Sequence, residues 1–350
     1  MVGISLLTLV PGVLGGSETY ARELLKALAR NGELDYRVLL PPLAVDAGAG
    51  LPEVIASEYG SATTPAGRFR AMARAALRPE RLRERLRGCR LVHFPLTVPA
   101  PSVEQPSVVT LHDVQHRDLP RLFSRAERAF RSFAYDRAAR QATAVIVPSI
   151  FVRDRALERL ALDPARIHVV PHGLDHERFR PGETAREPFL LYPAKGWPHK
   201  NHARLFEALT LVNRTRPDLR LVVTGYEGEV PAAVERLGFV GADELADLYR
   251  RAACLVFPSR YEGFGQPPLE AMACGCPVAA SRAGSLPEVC GDAAVLFDPD
   301  DPAAIAQGVL DALAQTDVLR ERGLARASGF TWDAAARSHE SVYRALLGLT

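Results

Sequence analysis

The sequence predicts an α/β protein of two doubly wound, Rossmann-like parallel-sheet domains of similar size. Three observations point there. Short β-rich runs alternate with helical stretches along the whole chain. The length of 350 residues exceeds what one ordinary core organises and suits two domains of about 150–180 residues. The stretch HGLDHERFRPGETAREP (172–188) is rich in charge, Gly and Pro and lacks an apolar period, which marks a linker.

Taken in order, MVGISLLTLVPG opens the chain as a first strand. It is apolar but has no basic lead-in and stops at a Pro-Gly turn, so it does not read as a signal peptide. PGVLGGSETYARELL follows and starts a helix. Its glycines, Gly12, Gly15 and Gly16, let the backbone approach a phosphate or sugar, and a helix start aims N–H groups at an anion. A plain Gly-rich turn with Ser17 as N-cap explains the same residues. The remaining first-half strands are YRVLLP, RLVHF, SVVTLHD, AVIVPS and IHVVPHG, with helices such as RAERAFRSFAYDRAAR between them. The second half repeats the scheme with FLLYPA, LRLVVTG, GFVG, CLVFPS, PVAAS and AVLFD. TWDAAARSHESVYRALLGL closes the chain as a helix capped by Thr331. The expected divisions are 1–178, 179–329 and a C-terminal helix over 330–350 that packs back on the first domain. In such folds ligands sit at strand C-termini, here in the cleft between the domains.

Composition is that of a globular protein, 47% hydrophobic with a formal net charge of +2. Residues 1–184 carry 26 Lys+Arg against 20 Asp+Glu and the remainder 17 against 21, which hints at different partners for the halves. Five cysteines have no paired-ligand spacing, and Cys274-x-Cys276 is too close for a zinc knuckle. They read as small buried thiols of a cytoplasmic protein. No run approaches a membrane span. Two arginine-rich tracts, 68–90 and 121–140, fit either a solvated helix face or peripheral docking on anionic lipid. Nucleic acid is not expected, because overall charge is nearly neutral and no aromatic stacking motif is present.

Lysine is scarce: 40 of the 43 basic residues are Arg. Lys195 and Lys200 both fall in YPAKGWPHKN, a strand-end turn, where ammonium groups suit a diphosphate. YEGFGQPPLEAMACG (261–275) places Glu262 and Glu270 around Gly263, Gly265 and two prolines. A carboxylate pair fits acid/base chemistry; it fits equally a loop acid and an acid near a helix start. Asp298-Pro-Asp300 reads as a strand end and helix cap, so no metal site is expected. His112-Asp113 closes SVVTLHD, where a lone His is commonly a structural hydrogen-bonder.

The block FVGADELADLYRRAACLVFPSRYEGFGQPPLEAMACGCPVAASRAGSLPEVCGDAAVLFDPDD resembles the signature region of retaining glycosyltransferases of family 4, which have the GT-B fold. The likeness continues through the Gly-Gly loop, TLHD, VPSIFVR, VPHGLDHERFRP and KGWPHKN, and HDVQHRDLPRLFS with WPHKNH is similar to a bacterial mannosyltransferase-like subgroup. The resemblance implies a nucleotide-diphosphate sugar as co-substrate, with GDP-mannose the first choice, no separate cofactor, and a glycan or lipid-linked acceptor. It implies that Glu262 meets the donor sugar and Glu270 the ribose. Backbone along Gly263, Phe264, Gly265 and Gln266 would approach sugar and diphosphate. Lys195 and Lys200 would neutralise the leaving group, His112 would reach the sugar with Asp113 orienting it, and Gly15 and Gly16 would line the site. Other occupants of the architecture are an epimerase or a silent nucleotide-sugar-binding partner. A Rossmann dehydrogenase is disfavoured, since neither half carries G-x-G-x-x-G with a following acid.

Overall fold

The computed structural model describes residues 1–60 and 63–349; the side chains of Pro65, Ala66, Arg68 and Phe69 also lie outside the described residues, and with them the start of the first arginine tract. The chain forms two compact units, Met1–Gly173 with Trp332–Thr350, and Leu174–Thr331.

Unit 1 carries seven parallel strands: β1 (Val2–Ser5), β2 (Tyr36–Leu40), β3 (Glu53–Ile55), β4 (Leu91–Phe94), β5 (Ser107–Thr110), β6 (Ala144–Val147) and β7 (Ile167–Val169). Their order is β3-β2-β1-β4-β5-β6-β7, so the winding reverses between β1 and β4. β1, β4 and β6 are buried along their whole length, as strands with helices on both faces must be. The helices are α1 (Gly16–Asn31), α2 (Pro65–Leu77), α3 (Glu80–Arg85), α4 (Gln115–Asp118), α5 (Arg125–Arg131), α6 (Arg137–Gln141) and α7 (Ile150–Leu160).

Unit 2 repeats the plan with β8 (Glu187–Pro193), β9 (Arg220–Thr224), β10 (Val234–Gly238), β11 (Ala252–Phe257), β12 (Val278–Ser281) and β13 (Val295–Phe297). The order β10-β9-β8-β11-β12-β13 puts its reversal between β8 and β11. Its helices are α8 (His202–Thr215), α9 (Ala242–Arg251), α10 (Gln266–Ala273), α11 (Leu286–Cys290), α12 (Pro302–Ala314) and α13 (Thr316–Ser328). The last helix, α14 (Trp332–Leu347), joins unit 1, where Trp332, Ala335, Ala336, Val342 and Tyr343 enter a core shared with α1.

Unit 2 begins at Leu174 rather than 179, because Leu174 bridges to Thr331 and, with Phe179, packs into the unit 2 core. The expected strand at GFVG is displaced to Val234–Gly238: Gly238 turns at φ +67° and Phe239 is 89% exposed. β3 was not expected; three residues with an exposed Glu give little alternation to read. The expected helix over 125–140 is interrupted by a π-helical turn, Ser132–Asp136. Ser17 is not the cap of α1. Gly15 holds that position at φ +58°, with no side-chain cap bond.

Candidate functional site

In unit 2 the expected residues fall on the loops that leave β8 and β11, the two strands flanking the sheet's reversal. Strand β8 ends at Pro193, and the chain turns through Lys195 and Trp197 into α8. Lys195 is exposed, with its ammonium 5.7 Å from the Trp197 ring centroid. Lys200 is drawn inward. Its Nζ donates to Glu262 Oε1 at 2.6 Å, both side chains being 13% exposed, and sits 5.4 Å from the Phe257 ring centroid. The buried Tyr192 hydroxyl donates to the Lys200 carbonyl. Asn201 next to it adopts φ +65° and donates to the carbonyls of Pro258 and Pro299. Thus the lysine turn and the glutamate loop are tied together by backbone as well as charge.

The glutamate loop is fixed by three serines with no exposed surface, none of which the sequence singled out. Ser259 donates to the Tyr261 carbonyl at 3.2 Å, and Ser281 to the Ser259 carbonyl. Ser285 donates toward the Glu262 and Phe264 carbonyls, at 3.1 and 2.6 Å, while its own N–H reaches the Glu262 carbonyl. Gly284 explains how Ser285 comes so close. It turns at φ +61°, and a Cβ there would stand 2.7 Å from the Glu262 nitrogen. Ser285 thus pins the 262–264 backbone at the Glu262 and Phe264 carbonyls. Gly265 then caps α10 at φ +105°.

Helix α10 starts where the two prolines place a helix start. Pro267 and Pro268 occupy its first turn, so those positions have no N–H to offer an anion. Glu270 lies beyond the first turn, where a macrodipole role weakens. Its Oε2 instead accepts a 3.0 Å hydrogen bond from the Tyr249 hydroxyl on α9. Burial pushes the Glu270 carboxyl up to about 7, against the Tyr249 hydrogen bond and the Arg178 charge, which both favour ionisation.

Asp298 and Asp300 lie at a strand end, with Asp300 paired to Arg260 and Asp301 capping α12. Among the described residues no cluster of three or more His, Cys, Asp or Glu is placed to hold a metal. All five cysteines are buried thiols. A cavity of about 300 Å³ in unit 2 is lined by Arg186, Arg250, Cys274 and Arg320. It lies at the amino ends of β8 and β11, away from these loops, and its Arg186 and Arg250 guanidiniums bind backbone carbonyls.

Gly15, Gly16 and His112 belong to unit 1. Gly12 N–H donates to Glu18 at 2.8 Å, so the glycine loop is closed by the first acid of its own helix. His112 is half-buried at the end of β5. Its Nε2 lies 2.8 Å from the Pro95 carbonyl and therefore carries the proton. Burial lowers the His112 pKa, so the ring is neutral and Nδ1 is an acceptor. Asp113 does not orient this ring: it accepts from the Gln115 N–H and faces Arg131.

Beneath His112 runs a chain of fully buried polar groups with one proton arrangement. His339 Nδ1 faces the Ala335 carbonyl at 2.7 Å and must donate. Burial depresses His339 to about 4, so Nε2 accepts from Tyr20, 2.7 Å away. Thr110 then donates to Tyr20, His93 Nε2 donates to Thr110, and Tyr343 donates to His93 Nδ1, all at 2.7–2.8 Å. Tyr20 meets the His112 ring edge-on at 5.0 Å. Tyr-Ala-Arg-Glu-Leu-Leu alone gave no sign that Tyr20 was anything but an apolar helix residue.

Comparison with known proteins covers both units. Residues 14–178 match the family described as Glycosyltransferase Family 4, and residues 175–324 match Glycosyl transferases group 1. O-antigen chain mannosyltransferase B of Escherichia coli is 39% identical over 182 residues, 47% of this chain and 48% of the relative. A D-inositol 3-phosphate glycosyltransferase of Segniliparus rotundus is 34% identical over 53% and 49% of the two chains. The MMP alpha-(1->4)-mannosyltransferase of Mycolicibacterium hassiacum is 33% identical over 59% and 55%. The chain spans about half the length of the curated relatives it matches. Among solved structures, sucrose-phosphate synthase from Thermosynechococcus elongatus superposes with a TM-score of 0.79 at 21% identity, covering 99% of both chains. Anabaena HepE, solved with UDP and glucose, gives 0.74 at 16% identity and 98% of both chains. These likenesses establish the GT-B fold. With both units matched by the same class of sequence, the chain belongs to the family 4 glycosyltransferases.

Proposed function

We propose that this protein is a retaining glycosyltransferase that moves a hexosyl group from a nucleotide-diphosphate sugar to a glycan or lipid-linked acceptor. The observation that carries the reading is the Lys200–Glu262 pair, seated on a serine-pinned loop at the reversal of the unit 2 sheet. An ammonium and a carboxylate at that place match the two ends of a sugar–phosphate bond. Lys200 and the exposed Lys195 would take charge from the departing diphosphate, and Glu262 would accept sugar hydroxyls. Glu270 would accept from the ribose. In unit 1, neutral His112 offers Nδ1 as an acceptor, which suits a sugar hydroxyl rather than a phosphate.

In this reading the bond from the anomeric carbon to the diphosphate oxygen breaks, and the acceptor oxygen bonds to the same face. The acceptor proton passes to the departing phosphate, so no protein base is required. Mannose from GDP-mannose is the donor we put first, because two relatives are mannosyltransferases by name. HepE was solved with UDP and glucose, which makes UDP-glucose the rival. Calorimetry against GDP-mannose, UDP-glucose, dTDP- and ADP-sugars should show preference for GDP-mannose, followed by transfer of an α-linked mannosyl group. Preference for a UDP-sugar would overturn the donor, and a β-linked product would overturn retention.

Peripheral contact with anionic membrane remains part of the proposal. Phe133 on the π-helical turn is 66% exposed with Arg137 5.5 Å from its ring, and Leu77 at the end of α2 is 82% exposed. No helix among the described residues is long and apolar enough to cross a bilayer.

A further inference from the structure

The linker sequence GLDHERF drew notice for its charge, yet nothing in the transfer chemistry above uses it. The structure places two of its side chains against the far side of the Glu270 region. Phe179 meets the Tyr249 ring edge-on with centroids 6.1 Å apart. Arg178 bonds Asp175 at 2.9 Å and Asp243 at 2.8 Å, and its charge acts on Glu270. Tyr249 has no exposed surface, and its hydroxyl donates to Glu270 Oε2 at 3.0 Å. One carboxylate oxygen is thereby held from the protein side.

We infer that Tyr249, backed by Arg178 and Phe179, is a positioning residue that keeps Glu270 ionised and aimed for the nucleotide's ribose. The inference rests on the proposed donor reading, since it presumes that Glu270 meets a ribose. A carboxylate accepts from two ribose hydroxyls; a protonated acid would spend one oxygen as a donor. The groups facing Glu270 are few. Tyr249 comes from α9 and Arg178 from the segment before β8, and the Cys274 thiol sits at the C-cap of α10. Burial resists ionisation, while the phenol hydrogen bond and the guanidinium favour it. Because the resulting pKa is about 7, removing either support moves the titration up through the neutral range. Nucleotide affinity would then fall at neutral pH and recover in alkali.

The test is calorimetric binding of GDP and UDP to the full chain between pH 6 and 9. The preferred diphosphate should bind wild-type protein more tightly as pH rises through 7. Glu270→Gln should bind weakly, and its profile carries only the ligand's own phosphate titration, which serves as the baseline. Tyr249→Phe should weaken binding about fivefold at pH 7, the fall in ionised fraction when the midpoint rises by about one pKa unit, and by less than about threefold at pH 9. A Tyr249→Phe profile parallel to wild type, lowered equally at every pH, would show a merely structural role and overturn the inference. Should Tyr249→Phe fail to fold, Arg178→Gln decides: it must shift the same midpoint upward, and an unshifted midpoint overturns the inference. If neither diphosphate binds wild type, or Glu270→Gln binds as well as wild type, the donor reading fails instead.

Discussion

Beneath His112, at the carboxyl end of the unit 1 sheet, buried Tyr20, Thr110, His93, His339 and Tyr343 are neutral and chained to one another. At the same end of unit 2 the polar groups of the site are charged, or they bind backbone carbonyls. Both sheets have the same strand order about their reversal, so topology does not dictate the difference. In unit 1, His93, His112, His172 and His339 all have depressed pKa values from burial, and every bond of the Tyr20–Thr110–His93–Tyr343 chain has a fixed donor. In unit 2, Lys200 faces Glu262 across 2.6 Å, and Glu270 is held near its titration point. The contrast teaches that one unit is set to present hydroxyl acceptors over a broad pH range. The other manages charge, as the proposed departure of a diphosphate would demand.

The largest effect should come from breaking the charged end. Lys200→Met removes the ammonium and leaves Glu262 largely buried without its partner. Transfer should fall roughly 10²–10³-fold, the range for losing a transition-state charge stabiliser. The Lys200→Met/Glu262→Gln double variant should melt above the single one, because it no longer buries an unpaired carboxylate. Transfer kinetics and thermal melting check both statements, and wild-type turnover by Lys200→Met would remove Lys200 from the mechanism.

The neutral end should fail in acid. A histidine whose folded pKa is about 4 against 6.5 unfolded adds no penalty above pH 6.5. Between pH 6.5 and 4 the unfolded chain binds the proton first, so stability falls as pH falls through that window. For His339 the loss amounts to about 3 kcal/mol. Melting temperature measured from pH 7 to 4 should drop for wild type and drop less for His339→Gln. Equal drops in both would mean that His339 does not stay neutral in the fold.

How much of this was legible in the sequence depended on range. The strands β1, β6 and β11 were read from their apolar runs, and β4 from Leu91, Val92 and Phe94 around His93. β10 was misplaced because Val-Glu-Arg-Leu-Gly has too few apolar residues to compete with Gly-Phe-Val-Gly. Lys200, Glu262 and Glu270 stood out because scarce or paired charges in Gly/Pro turns are visible locally. Their supports were not. Ser285 acts 23 residues away from Glu262, and Tyr249 acts 21 residues away from Glu270; a single serine or tyrosine carries no local mark of such a partner. Tyr20 and His339 meet across 319 positions. The wrong N-cap at Ser17 has a similar cause, since Gly15 takes a positive φ that propensity assigns to a turn.

The smallest predicted effect sharpens the comparison most, because it reverses sign. Glu270 is the mirror of His339: its folded pKa is raised, from 4.5 to about 7. The unfolded chain therefore loses that proton first, and stability falls as pH rises from 4.5 toward 7, staying lowered above. Discounting for the partial exposure of the side chain, the cost at pH 8 is about 2 kcal/mol. Glu270→Gln keeps an acceptor for the Tyr249 hydroxyl and removes the charge. It should melt higher than wild type at pH 8 and no higher at pH 4, while binding nucleotide worse. That combination is the mark of a group kept for function against stability. A variant that melts lower at pH 8 would instead show that Tyr249 and Arg178 already offset the burial, and the carboxylate would count as part of the fold.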